Sequence, residues 1–143
     1  ATMAVERVAA AMTAGSHGAT FGGNPLAMAV ANAVLDVILA DGFLDHVSET
    51  GTRLRAGLED LVAKYPKLFA EVRGQGLMLG LRCTDAITNG DVVGKATARG
   101  LLTVPAGANV VRFVPPLTIE ATHVDEALQI LDASAAEMAA EAS

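Results

Sequence analysis

The hydropathy pattern predicts an α+β layer. Stretches with helical spacing lie toward both ends of the chain, and short strand-like runs are collected between them. No internal repeat or low-complexity linker interrupts the pattern. The strand-like runs, 69–73, 77–82, 101–104 and 110–113, meet at glycine-containing connections, which suits antiparallel pairing with helices packed over one side.

Each element has a local reason. Ala4 to Met12 reads as a short first helix. Asn24-Pro25 reads as an N-cap followed by a first-turn proline, opening a second helix that runs to about Ala40 until Asp41-Gly42 stops it. Its run from Leu26 to Leu39 is apolar on nearly every face, so it is expected to be covered on several sides by other protein. It is too short to span a membrane and contains Asn32 and Asp36. A third helix, about Leu44 to Lys64, places Val47, Leu54, Leu58 and Leu61 on one face, with Arg55–Glu59 and Asp60–Lys64 as i,i+4 pairs. Tyr65-Pro66 ends it.

Two strands joined through Gly74-Gln75-Gly76 follow, then a helix from about Asn89 to Arg99. The runs 101–104 and 110–113 read as a hairpin about Pro105-Ala106-Gly107-Ala108-Asn109. A last helix, about Ala121 to Ala140, carries Val124, Leu128, Leu131, Ala135 and Met138 at helical spacing, with Glu137 and Glu141 expected to face water.

Composition narrows the function. The net charge is −6, from 10 basic and 16 acidic residues, with no Lys/Arg cluster, so nucleic acid and anionic membranes are poor partners. A single cysteine, Cys83, rules out a disulfide within this sequence and reads as a buried thiol. His17, His46 and His123 share no ligand spacing, so no metal site is expected; His46 and His123 read as solvated helix-face residues. The opening segment carries Glu6 and Arg7 inside its apolar stretch and does not read as a secretory signal, so a cytoplasmic protein is expected.

Two stretches carry chemistry. Gly15 to Pro25, GSHGATFGGNP, combines glycines, the Thr20 hydroxyl and a helix start, a backbone shaped to offer N–H groups to an anion such as phosphate. A plain glycine-rich connection between two helices accounts for the same letters. Arg112 is a charge inside the run Val110-Val111-Arg112-Phe113-Val114, so one side of that strand is expected to open to solvent or to a ligand. Arg73 and Gln75, beside the glycine turn, read as organisers of the strand connection.

The order of these residues resembles a known family. HGATFGGNPLAMAVANAVLDVI, EVRGQGLMLGL (71–81) and GLLTVPAGANVVRFVPPLTI (100–119) resemble, in sequence order, segments of the class-III pyridoxal-phosphate aminotransferases, most of all the acetylornithine-type members. The resemblance covers essentially the whole chain. It implies the small C-terminal domain of a fold-type I aminotransferase at 26–143, preceded at 1–25 by the end of the large, cofactor-binding domain. It also implies Thr20 as the residue whose hydroxyl and N–H meet the phosphate of pyridoxal 5′-phosphate across a homodimer interface, with the N–H of Ala19 beside it. Ala19 stands where relatives commonly carry serine. Arg112 is implied as the clamp on a substrate carboxylate.

The implied reaction moves the terminal amine of N-acetylornithine to 2-oxoglutarate, a step of arginine biosynthesis, with ornithine and 4-aminobutyrate as alternative donors. In the family the cofactor-binding lysine precedes the glycine motif, whereas Lys64, Lys67 and Lys95 all follow it. The chain is therefore expected to be a C-terminal segment without catalytic residues of its own, inactive alone. A stand-alone α+β binding or assembly module is the reading from a different class.

Overall fold

The structure, a computed structural model, describes residues 3–141. The chain forms two compact units, residues 1–40 and 41–143.

The first unit holds a single turn of helix, α1 (Glu6–Ala9), and a long helix, α2 (Pro25–Ile38). The first helix is shorter than the 4–12 expected, because Ala10, Ala11 and Met12 continue as turns whose N–H groups bond to residues 6, 8 and 9. The predicted start of α2 is present: Asn24 Oδ1 accepts from the N–H of Ala27 at 2.9 Å, with Pro25 in the first turn. No residue of α2 is buried. Leu26, Met28, Val30, Val34, Leu35 and Val37 are all exposed, a continuous apolar surface of the kind that marks an interaction face.

The second unit is the α+β layer. Its order is α3 (Phe43–Lys64), β1 (Phe69–Gln75), β2 (Met78–Cys83), α4 (Asn89–Ala98), β3 (Val104–Ala106), β4 (Val110–Phe113) and α5 (Ala121–Glu141). The strands form one antiparallel sheet in the order β1-β2-β4-β3. Strand alternation sorts the sheet into two faces. Leu79, Leu81, Val111 and Phe113 point into a core closed by Leu54, Leu58 and Leu61 of α3, Val92 and Ala96 of α4, and Val124, Leu131, Ala135 and Met138 of α5. The other face carries Glu71, Arg73, Arg82 and Arg112 alongside the apolar Met78, Val104 and Val110.

Close approach explains two glycines within this unit. A Cβ on Gly51 of α3 would stand 2.9 Å from the carbonyl carbon of Gly76, so the helix can lie against the β1–β2 turn only without one. Gly74 has φ 108 and would place a Cβ 2.1 Å from the Met78 oxygen.

Three local expectations are corrected. The strand expected at 101–104 pairs only from Val104, because β4 offers partners to residues 104–106 and no further. Lys64 does not pair with Asp60 but reaches Asp132 of α5 at 2.6 Å. Glu137 and Glu141 do not simply face water: both hold Lys95 at 2.8 Å, and Glu137 also holds Arg99, tying α5 to α4. Helix-to-helix packing brings these partners within reach, which spacing along one helix does not reveal.

Candidate functional site

The glycine-rich loop of the first unit is built by short-range bonds. Ser16 Oγ donates to the Thr13 carbonyl at 2.6 Å, the Gly22 N–H donates to Ala19 O at 3.0 Å, and Asn24 Nδ2 donates to Phe21 O at 2.6 Å. Gly23 takes φ 72, the left-handed conformation that delivers the chain into the Asn24 cap. Between these tied points, Gly18, Ala19 and Thr20 are exposed, and neither their N–H groups nor the Thr20 hydroxyl bonds to any group among the described residues. Exposed N–H and hydroxyl donors within one turn are the kind of groups that can bind an anion. His17 is exposed in the same loop.

In the second unit, Arg112 sits on β4 with its side chain exposed on the outer face of the sheet. Every other arginine and lysine of residues 41–141 except Lys67 has a carboxylate partner. Arg53 meets Asp125, Arg55 meets Glu59, Lys64 meets Asp132, Arg73 and Arg82 meet Glu71, and Lys95 and Arg99 meet Glu137. Arg112 has none among the described residues. It borders a cleft of about 310 Å³ at the end of the sheet, whose other lining residues, among them Leu54, Leu102, Phe113, Pro115 and Ile119, are apolar except Thr103. The Thr103 hydroxyl is buried there with no hydrogen-bond partner.

A guanidinium beside an apolar cleft has the chemistry to receive a carboxylate. It presents paired N–H donors in a plane and keeps its charge when water is excluded. His46, expected to be solvated, is half-buried, and its Nε2 lies 2.9 Å from the carbonyl of Ile119, fixing the loop that carries one wall of the cleft. Cys83 is buried as expected, and burial pushes its thiol up to about 11, which leaves it inert as a nucleophile at neutral pH. Among the described residues no cluster of His, Cys, Asp and Glu could hold a metal ion. No single helix there is long and apolar enough to cross a membrane.

Ala19 and Thr20 thus lie in the exposed loop of the first unit, and Arg112 lies on the outer face of the sheet in the second, beside the cleft. The partnerless Thr103 hydroxyl and the sharing of Glu71 between two arginines were not foreseen. Both depend on which strand pairs with which, and only the alternation along 101–113 hinted at them.

Comparison with known proteins places the chain in a family. The family model for aminotransferase class-III matches residues 1–134. The chain belongs to the class-III aminotransferases. Its class-III relatives include the acetylornithine aminotransferase of Rhodobacter capsulatus, 51% identical over 138 residues, which are 96% of this chain and 35% of that enzyme. The acetylornithine aminotransferase of Agrobacterium fabrum is 47% identical over 140 residues, 98% of this chain and 35% of that enzyme.

Solved class-III structures agree. The N-acetylornithine aminotransferase of Stenotrophomonas maltophilia superposes with a TM-score of 0.75 at 38% identity, covering 84% of this chain and 33% of that one. The ornithine aminotransferase of Toxoplasma gondii gives a TM-score of 0.78 at 36% identity, covering 94% of this chain and 32% of that one. The chain therefore spans about a third of the length of the curated relatives it matches, 35% for the two named here. Both the loop and the cleft lie inside the matched range.

Proposed function

We propose that this chain is the C-terminal third of an acetylornithine-type aminotransferase, supplying one phosphate-binding loop and the carboxylate clamp. The observation that carries the reading is Arg112: a strand-borne guanidinium without an acidic partner among the described residues, at the mouth of an apolar cleft. The family's cofactor is pyridoxal 5′-phosphate, and the loop fits its phosphate by chemistry, since the free N–H groups of Ala19 and Thr20 and the Thr20 hydroxyl are donors that a doubly charged oxyanion requires. When bound, pyridoxal phosphate supplies the electron sink for amino transfer.

The chain's own residues bind and orient. Arg112 holds the α-carboxylate of the amino donor, N-acetylornithine, and then that of the acceptor, 2-oxoglutarate, so one charge serves both substrates. The apolar walls of the cleft exclude water around the ion pair and strengthen it. Ala19 offers only its N–H, leaving Thr20 as the loop's hydroxyl contact with phosphate. The exposed apolar face of α2 is the surface that the remainder of the enzyme and a second subunit cover, placing Thr20 at the partner's cofactor. The lysine that binds the cofactor and shuttles protons belongs to the remainder: in the family it precedes the glycine motif, whereas Lys64, Lys67 and Lys95 all follow it. The fold likeness to an ornithine aminotransferase makes ornithine the second candidate donor.

Grafting tests the proposal. The matching third of the Rhodobacter capsulatus enzyme is replaced by this chain, and amino transfer from N-acetylornithine to 2-oxoglutarate is measured. The graft is expected to be active and the 143-residue chain alone inactive. A folded graft that holds pyridoxal phosphate yet transfers nothing from N-acetylornithine, or prefers ornithine or 4-aminobutyrate, would contradict the assignment.

A further inference from the structure

Arg112 lies in the shortest hairpin of the sheet. Strand β3 offers β4 only the pairs Val104↔Arg112, Pro105↔Val111 and Ala106↔Val110, and the middle one includes a proline, which has no N–H to give to the ladder. Burial of Val111 and Phe113 chooses the face on which Arg112 stands. Aliphatic contacts are non-directional, however, and do not fix where a short hairpin lies along the sheet. Hydrogen bonds are directional and can.

The turn of this hairpin is held in an uncommon conformation. Ala108 and Asn109 both take left-handed backbone, φ 58 and φ 56, without being glycine. Side-chain bonds account for it. Asn109 Oδ1 accepts from the Asn89 N–H at 2.7 Å, and its Nδ2 donates to the carbonyls of Thr84 at 3.0 Å and Ile87 at 2.9 Å. The Asn109 carbonyl accepts from the Cys83 N–H at 2.9 Å. In return, Asn89 Nδ2 donates to the carbonyls of Ala106 at 2.8 Å and Val110 at 3.0 Å, one on each side of the turn. Both side-chain amides thus use their full donor capacity in partly buried surroundings, where a lost bond leaves a polar group unpaired. The other side of this clasp is itself anchored. Thr84 donates its N–H to Leu68 O at 2.8 Å and its Oγ1 to Lys67 O at 2.6 Å, while Asn89 is the first residue of α4, capped by Thr88.

We infer that Asn109 and Asn89 are positioning residues for the Arg112 clamp: their interlocked amides fix where the β3–β4 hairpin lies, and so where the guanidinium meets its carboxylate. The inference rests on the reading of Arg112 as a carboxylate clamp. A paired fork tolerates little misplacement, which is why directional bonds three residues away matter to it.

A double-mutant cycle in the grafted enzyme separates positioning from folding. Asn109→Gly keeps the left-handed turn accessible and removes only the side-chain amide. With Arg112 present, it is expected to lower kcat/KM for N-acetylornithine and for 2-oxoglutarate by about tenfold. In the Arg112→Lys background the same change should cost about twofold or less, because a lysine ammonium has no paired geometry to lose. Asn89→Ala leaves the turn residues untouched and should show the same dependence on Arg112, which covers the case in which Asn109→Gly does not fold. Equal losses in the two backgrounds, no loss in either, or failure of both variants to fold would overturn the inference and make the asparagines structural only, while Arg112 keeps its role. If Arg112→Lys by itself changes neither substrate, the clamp reading falls and this inference falls with it.

Discussion

An arginine in a strand is costly only where it is buried, and Arg112 stands on the exposed outer face without a carboxylate partner among the described residues. That much was legible from five letters, VVRFV, because a guanidinium between valines demands an open side. Thr20 was legible for a similar reason: a hydroxyl in a glycine-bordered loop has no apolar face to serve. From sequence Arg73 reads only as a turn organiser, because its place on the same sheet face as Arg112 is set by the pairing of β1 with β2 and of β2 with β4. The loop assignment yields a prediction at this scale. In the grafted enzyme, Thr20→Ala should weaken pyridoxal phosphate by about tenfold to a hundredfold, the effect of losing one charge-assisted bond of ~1.5–3 kcal/mol. Because Thr20 is exposed, the melting temperature of the cofactor-free protein should stay unchanged. Equilibrium dialysis and calorimetry check the two halves. An equal fall in both, or in neither, would make Thr20 a turn residue only.

At the scale of elements, periodicity located the helices and both hairpins but not the β2–β4 pairing that joins them, and the errors fell where tertiary contact decides. The first strand of the second hairpin starts at Val104, not Leu101, because a strand exists only where a partner is in register. Lys64 had two carboxylates to choose from and took Asp132 of α5, whose carboxyl is held below the ordinary carboxylate range chiefly by that lysine. Helix α4 opens on a capping box. Thr88 Oγ1 accepts from the Asp91 N–H while Asp91 Oδ2 accepts from the Thr88 N–H at 2.9 Å, a capping box one turn ahead of the buried Val92 and Ala96. Thr88→Ala should therefore cost about 1 kcal/mol in urea unfolding, and Thr88→Ser should cost much less. Equal losses for the two variants would show that the threonine methyl, not the cap, supports α4. The same cap lowers the Asp91 carboxyl, so its contribution is present above the ordinary carboxylate pKa and fades as pH falls through the depressed value.

The molecule as a whole divides its labour. The unit of residues 41–143 has a closed core of aliphatic side chains from three helices and a sheet, whereas in the unit of residues 1–40 no residue of α2 is buried. The sequence signalled this contrast: a helix apolar on nearly every side has no face for water, and Leu26, Val30 and Val34 are indeed exposed. What lies against that surface was not legible, because the partner's residues are not among these letters. The match to about a third of much longer enzymes supplies the context in which such a helix makes sense. The central claim, that this chain brings the carboxylate clamp to a class-III aminotransferase, is tested most directly by kcat/KM of the Arg112→Lys grafted enzyme for N-acetylornithine and for 2-oxoglutarate. Lysine keeps the charge but loses the paired fork, so the account predicts a fall of about tenfold to a hundredfold for both substrates, a loss of ~1.4–2.8 kcal/mol in transition-state binding. Unchanged kcat/KM for both would contradict it and return Arg112 to the surface of the sheet.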